Sequence, residues 1–300
     1  MMADTKLLGG IEAGGTKFVL AVASPPTDII ARYELPTRSP EETLEDVTAW
    51  FRDQPPLDAI GIASFGPAII DPNDEQWGRI GSTPKPGWSD CDLAGYLQKL
   101  FNVPIGFDTD VNGAALAEAT YGAGEGKSSL VYITVGTGIG GGIVYDRKPV
   151  HGAAHPEMGH IFPRRHASDM TFKGTCPAHG DCLEGLACGP AIINRWGQSL
   201  SELPRDHEAL DVIASYIGQL CHSVFATTAA EIIVLGGGVM KARDLFERVQ
   251  AKTELLNAGY LPGGDRHSIV RPGLEENSGL IGSLLLAERA RTRAGKLSPT

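Results

Sequence analysis

Three hundred residues, 42% of them hydrophobic, are enough to bury a large core and divide most simply into two lobes. A net charge of −10 argues against a nucleic-acid partner, which needs a concentrated basic patch. Five cysteines, an odd number with three inside residues 176–188, do not make a disulfide framework and fit a reducing, cytoplasmic setting with a metal site. The start, Met1 to Lys6, has no apolar leader. No run is expected to approach the length of a membrane helix, so no membrane partner is expected.

In chain order, residues 9–17 read Gly-Gly-Ile-Glu-Ala-Gly-Gly-Thr-Lys and run into the apolar stretch Phe18–Ala23, which predicts a strand–turn–strand hairpin. Glu41–Arg52 is an amphipathic helix, with Pro40 at its start and Leu44, Val47 and Phe51 on one face. Ala59–Phe65 is a buried strand that ends at Gly66-Pro67, and residues 71–90 form an ordered loop. A helix over Asp92–Leu100, a short strand over Ile105–Asp108 and an alanine-rich helix over Asn112–Thr120 follow. Leu130–Val135 leads into the seven residues Gly136 to Gly142 and on to Ile143–Tyr145, a second hairpin. Asp211–Thr228 is the longest clear helix. Ile232–Leu235 is a strand entering a helix through Gly236, Gly237 and Gly238, and Gly279–Arg291 closes the fold, with a frayed tail over 294–300. Strands alternating with helices predict an α/β architecture, and the hairpins make its sheets mixed. Three glycine turns, each tied to a β-branched run, offer backbone amides that a phosphate can approach without a side chain in the way.

Four residues make a metal pattern: His160, then Cys176, His179 and Cys182 within Cys-Pro-Ala-His-Gly-Asp-Cys. Two thiolates and two imidazoles form a closed tetrahedral set suited to zinc, bracketed by Glu157 and Glu184. The plain alternative is two packing cysteines and two surface histidines, against which the short spacing argues. Asp110 follows the strand Ile105–Phe107 and opens a helix. A carboxylate there points into the crevice where α/β proteins bind ligands and can accept a proton from a hydroxyl. Asp110 or Asn112 can equally serve as an ordinary helix cap. The remaining histidines (151, 155, 166, 207, 222 and 267) lack a partner pattern and read as structural or solvated, while Cys91, Cys188 and Cys221 read as core packing.

These segments resemble the ROK family of sugar kinases. The run from Gly9 to Lys17 resembles its first phosphate hairpin, Val135 to Gly142 its second, and Glu157-Met-Gly-His160 its sugar-and-zinc motif. Gly180-Asp-Cys182-Leu-Glu184-Gly and Leu235-Gly236-Gly237-Gly238-Val239 continue the match, in family order from residue 9 to about 282. Two departures from the glucokinase-like pattern, Glu12 in place of an aspartate and His179 in place of a zinc cysteine, resemble the family's zinc-containing fructokinase branch.

The resemblance implies an actin-like (ribonuclease H-like) fold of two α/β lobes. A small lobe over 1–112, joined by the C-terminal helix 284–300, would face a large lobe over 113–283 that carries the zinc loop 155–185. By the same resemblance Asp110 is the general base of an ATP-dependent fructokinase. Gly66, Pro67, Thr83, Glu157, His160 and Glu184 hold the sugar with it. Gly14, Gly15, Thr16 and Lys17, with Thr134, Gly136 and Thr137, face the triphosphate, although Lys17 reads equally well as a solvated lysine. Pro190 and the run Gly236, Gly237, Gly238, Val239 and Met240 line the adenosine. Mg2+ accompanies ATP, Zn2+ is structural on His160, Cys176, His179 and Cys182, and the chain forms a homodimer. Mannokinase and glucokinase are the neighbouring alternatives. A sugar-sensing repressor of the same family carries a DNA-binding segment in front, for which a hairpin beginning at Gly9 leaves no room. A zinc-only interaction module leaves the three glycine turns and Asp110 unexplained.

Overall fold

A computed structural model describes residues 6–297; Met1–Thr5 and Ser298–Thr300, on which the leaderless start and the last part of the expected frayed tail fall, lie outside the described residues. The strands are β1 (Leu8–Ala13), β2 (Lys17–Ala23), β3 (Ile29–Pro36), β4 (Ala59–Ser64), β5 (Ile105–Thr109), β6 (Ser129–Val135), β7 (Ile139–Tyr145), β8 (Lys148–Pro149), β9 (Ile232–Gly236) and β10 (Ser268–Val270). The α-helices are α1 (Pro40–Arg52), α2 (Leu93–Phe101), α3 (Asp110–Tyr121), α4 (Leu183–Ala187), α5 (Gly189–Trp196), α6 (Ala209–Thr228), α7 (Leu245–Asn257) and α8 (Ser278–Leu297). The chain divides into two compact units. One takes the residues up to Ala117, Pro149–His155 and those from Leu274 on; the other takes Glu118–Lys148 and Pro156–Gly273.

The first unit is built on a mixed five-stranded sheet, ordered β3-β2-β1-β4-β5. β1 and β2 form the expected antiparallel hairpin, while β1, β4 and β5 run parallel. The parallel register sets Ala13 beside Ser64 and Ser64 beside Thr109, so three chain segments leave the sheet side by side at its carboxyl edge. α1 begins at a capping box, with Ser39 and Glu42 satisfying each other's backbone amides behind Pro40. α8 covers one sheet face by close backbone approach. A Cβ on Gly61 would lie 1.9 Å from the Ser283 carbonyl oxygen, and one on Gly106 2.3 Å from that of Leu286. Leu280, Leu284 and Ala287 of α8 pack with Leu8, Val19 and Ala59. The helix continues to Leu297 where residues from 294 on were expected to fray.

The second unit holds the sheet β10-β9-β6-β7-β8, in which β6 and β7 are antiparallel and β6 and β9 parallel. Gly140, Gly141 and Gly142, expected in the turn, belong to β7 instead. The reason is a 3₁₀ turn, Met158–His160, laid flat on that strand: a Cβ on Gly141 would lie 2.2 Å from the Met158 sulfur, and one on Gly159 2.0 Å from the Ile139 carbonyl oxygen. The β9 strand leads, as read, through its glycines into a short helical turn, Val239–Lys241. α6 corrects one expectation. By length and composition it is apolar enough to cross a membrane, but 67% of that window is buried inside the structure. Leu210, Ile213, Ile217, Leu220 and Val224 belong to the main core of this unit, so packing accounts for its apolarity. β3, β8, β10, α4, α5 and α7 had no counterpart in the sequence reading.

Candidate active site

At the carboxyl edge of the first sheet, Asp110 is the first residue of α3, and its Oδ1 accepts from the Val111 amide at 2.9 Å. The capping role is shared: Thr109 Oγ1 accepts from the Asn112 amide at 3.2 Å, while Asn112 itself points back to Asp108. Asp108 is buried, accepts from Thr109 N and Asn112 Nδ2, and meets His151 Nε2 at 2.8 Å. That bond is the main reason the imidazole of His151 titrates above its ordinary range. His155 Nε2 accepts from the Ala68 amide at 3.1 Å, just after the cis Gly66–Pro67 bond. Both histidines thus have structural roles with partners that no local pattern revealed, and each is a long-range contact from the segment Pro149–His155. Beside Asp110, Glu12 is pushed up to about 7, first by burial and then by the negative charge of Asp110.

The first glycine turn is tied by its carbonyls. Gly14 N donates to Lys17 O at 2.9 Å, Thr37 Oγ1 donates to Gly14 O at 2.7 Å, and Thr37 N donates to Thr16 O at 2.9 Å. Gly15 has open space where its Cβ would be. Lys17 is exposed and paired with Glu34 at 2.8 Å, as a solvated hairpin lysine would be. Pro67 O accepts from the Gly81 amide at 2.7 Å, and Thr83 is held across its own loop by Ser89 Oγ at 3.1 Å. Gly66, Pro67, Thr83 and Asp110 therefore share the first unit with Gly14–Lys17.

In the second unit the four metal-pattern residues converge. Their ligating atoms all lie within 4.8 Å of one another. His160 Nδ1 is 3.8 Å from Cys176 Sγ, 3.5 Å from Cys182 Sγ and 3.3 Å from His179 Nδ1, and Cys176 Sγ is 3.7 Å from His179 Nδ1. Zinc bonds of about 2.0–2.3 Å put neighbouring ligand atoms of a tetrahedron about 3.3–3.8 Å apart, so the donor set fits zinc in chemistry and these four separations fit it in spacing. The loop is shaped for it: Cys176 and Gly180 exchange backbone bonds of 3.2 and 2.9 Å, and Gly180 has φ +63. While Nδ1 of His160 faces this cluster, its Nε2 stands 3.9 Å from a carboxylate oxygen of both Glu157 and Glu184. Glu184, on α4 directly after Cys182, also accepts from the Ile139 amide at 2.9 Å. Three of the seven residues expected to hold a sugar thus form one group, centred on an imidazole of the candidate metal cluster.

A cavity of about 490 Å³ in the same unit is lined by Gly136, Thr137, Gly189, Pro190, Ile192, Ile193, Ser199, Leu200, Ser201, Gly238 and Val239. It joins five of the residues expected at the nucleotide. It adds the α5 face and residues 199–201, which lie in no glycine turn and carried no sequence signal. Thr134 in β6, Gly236 in β9 and Gly237 after it are not among its lining residues, and Met240 is buried in the unit's core. Gly189 N donates to Gly136 O at 2.7 Å, which closes α5 onto the second hairpin turn.

The model of the ROK family matches residues 8–290. The chain is 44% identical to a fructokinase of Zymomonas mobilis over 98% of its own length and 100% of that protein, and 42% identical to a fructokinase of Pediococcus pentosaceus over 96% and 100%. Among solved structures it superposes on a ROK hexokinase from Thermus thermophilus with a TM-score of 0.78 and 26% identity, covering 96% of this chain and 99% of that one. These matches identify its fold class as the α/β, actin-like sugar kinase class. The chain belongs to the ROK family.

Proposed function

We propose that the protein is an ATP-dependent fructokinase, transferring the γ-phosphoryl group of Mg-ATP to the 6-hydroxyl of D-fructose. The observation that carries this reading is the placement of Asp110, a carboxylate at the carboxyl edge of a parallel strand set, beside a glycine turn, in a chain 44% identical to a fructokinase. Asp110 takes the proton of the attacking hydroxyl as its oxygen bonds to the γ-phosphorus, and the bond from that phosphorus to the bridging oxygen of ADP breaks. Glu157, His160 and Glu184, with Gly66, Pro67 and Thr83, are the groups offered to the sugar. The cavity at Pro190 and Val239 takes the adenosine, with Gly136 and Thr137 toward its phosphates. The backbone amides of Gly14–Lys17 bind phosphate oxygens. Mg2+ enters with ATP and supplies charge neutralisation on the phosphates. Zn2+ on His160, Cys176, His179 and Cys182 is structural, since the protein fills all four positions. Five free cysteines support a reducing, cytoplasmic setting, and the family resemblance supports a homodimer, which sedimentation would check. The deciding experiment is a coupled ADP-release assay across fructose, mannose, glucose and N-acetylated hexosamines. Fructose should give the highest kcat/KM, and a higher value on another hexose overturns the assignment.

A further inference from the structure

The loop Thr83-Pro84-Lys85-Pro86-Gly87-Trp88 contains one feature that the roles above leave unused. Lys85 Nζ donates to the carbonyl oxygen of Gly15, in the middle of the first glycine turn. Among the described residues no carboxylate lies within ion-pair distance of it, whereas Lys17, on the turn itself, is committed to Glu34. One N–H is spent on a carbonyl, and the ammonium keeps two more donors and its whole charge.

Its mounting is stiff. Prolines on both sides fix their backbone angles. Trp88 is fully buried, and its Nε1 donates to Arg38 O at 2.9 Å. Gly87 sits at φ +79, and a Cβ there would lie only 3.3 Å from Pro40 Cδ. Thr83 and Ser89 close the loop with two bonds of 3.1 Å. A compact cation without a counter-ion, held over a glycine turn by a rigid loop, is the arrangement that electrostatic stabilisation of a transferring phosphoryl group requires.

We propose that Lys85 contacts the γ-phosphate of the bound nucleotide and stabilises the charge that develops on it. The assignment rests on the kinase reading above. The lysine remains protonated throughout; the hydroxyl proton goes to Asp110, and the electron pair of the broken bond stays on ADP. Because ADP has no γ-phosphate, Lys85 should discriminate between the two nucleotides, which a loop-stabilising residue would not.

Binding of Mg-AMPPNP and of Mg-ADP to the whole protein is measured by calorimetry for wild type, Lys85→Met and Lys85→Arg, with kcat for fructose in parallel. Lys85→Met should weaken AMPPNP at least tenfold, leave ADP within about twofold and lower kcat by about 10²-fold, the size of losing one preorganised charge contact. Lys85→Arg should recover much of each loss. Equal weakening of both nucleotides, or no weakening, overturns the proposal. If Lys85→Met does not fold, acetylation of wild-type lysines mapped by mass spectrometry decides: AMPPNP must protect Lys85 and ADP must not. Should wild type phosphorylate no fructose while the nucleotide discrimination still collapses in Lys85→Met, the substrate assignment fails and the role of Lys85 stands.

Discussion

Asp110 and Glu12 are electrostatically coupled across the carboxyl edge of the first sheet. Burial first, and the charge of Asp110 second, raise Glu12 from 4.5 to about 7. The folded protein therefore holds this proton more tightly than the unfolded chain does. The resulting stabilisation is complete below about pH 4.5 and disappears as pH rises through about 7. Glu12→Gln carries no titrating group, so wild type should lose stability relative to it between pH 5 and pH 8, by at most about 3 kcal/mol. Urea unfolding of both proteins at intervals across that range measures the difference. Asp110→Asn, by removing the like charge, should lower the Glu12 pKa. A difference between wild type and Glu12→Gln that does not change with pH would reject the coupling.

Asp110→Asn tests the chemistry itself. The amide keeps the shape and the bond to the Val111 amide but cannot take a proton. Turnover should fall by roughly 10²–10⁴-fold, with fructose binding little changed. Steady-state kinetics beside fructose calorimetry separates the two, and a near-normal kcat removes Asp110 from the role of base.

Cys176→Ser should lose the metal. Removing a thiolate from a four-ligand set costs affinity steeply, and the released loop no longer aims His160 between Glu157 and Glu184. Metal analysis should show less than one zinc per chain, with a raised fructose KM and an ATP KM closer to wild type. Full zinc content with unchanged kinetics would refute the structural metal.

Two adjacent glycines should behave in opposite ways. Gly237 has φ +98, and a Cβ there would lie 2.4 Å from the Val135 carbonyl oxygen. Gly237→Ala should therefore cost several kcal/mol and lower Tm. Gly238 has ordinary helical angles and nothing within 4 Å of where its Cβ would be, yet it lines the cavity proposed for the nucleotide. Gly238→Leu should keep Tm near wild type and raise the ATP KM tenfold or more. Paired melting curves and ATP titrations check both, and equal effects at the two positions would reject this reading of the cavity.

What the sequence made legible was local. The glycine hairpins, the Cys-Pro-Ala-His-Gly-Asp-Cys knuckle and Asp110 each lie within a few residues of the strand or turn that positions them, so spacing singles them out as candidates, although for Asp110 it left a helix cap equally open. His151 and His155 did not announce themselves, because their partners Asp108 and Ala68 lie 43 and 87 positions away. Lys85 was hidden for the same reason: its contact to Gly15 spans 70 positions. α4 and α5 were missed because the helices are short and Cys188 and Gly189 interrupt their pattern. α7 is half exposed, with Leu255 facing out. The apolar length of α6 was underestimated, since its isolated polar residues mask a helix that is buried over most of its surface.

The glycines at which α8 presses on β4 and β5 bear on biosynthesis. Strands β1 to β5 leave the ribosome long before the helix that seals one side of them, and no side chain at Gly61 or Gly106 can cover that side meanwhile. The growing polypeptide therefore carries an unsealed sheet through most of its translation, a natural target for a chaperone, until the residues from Ser278 onward emerge and close it.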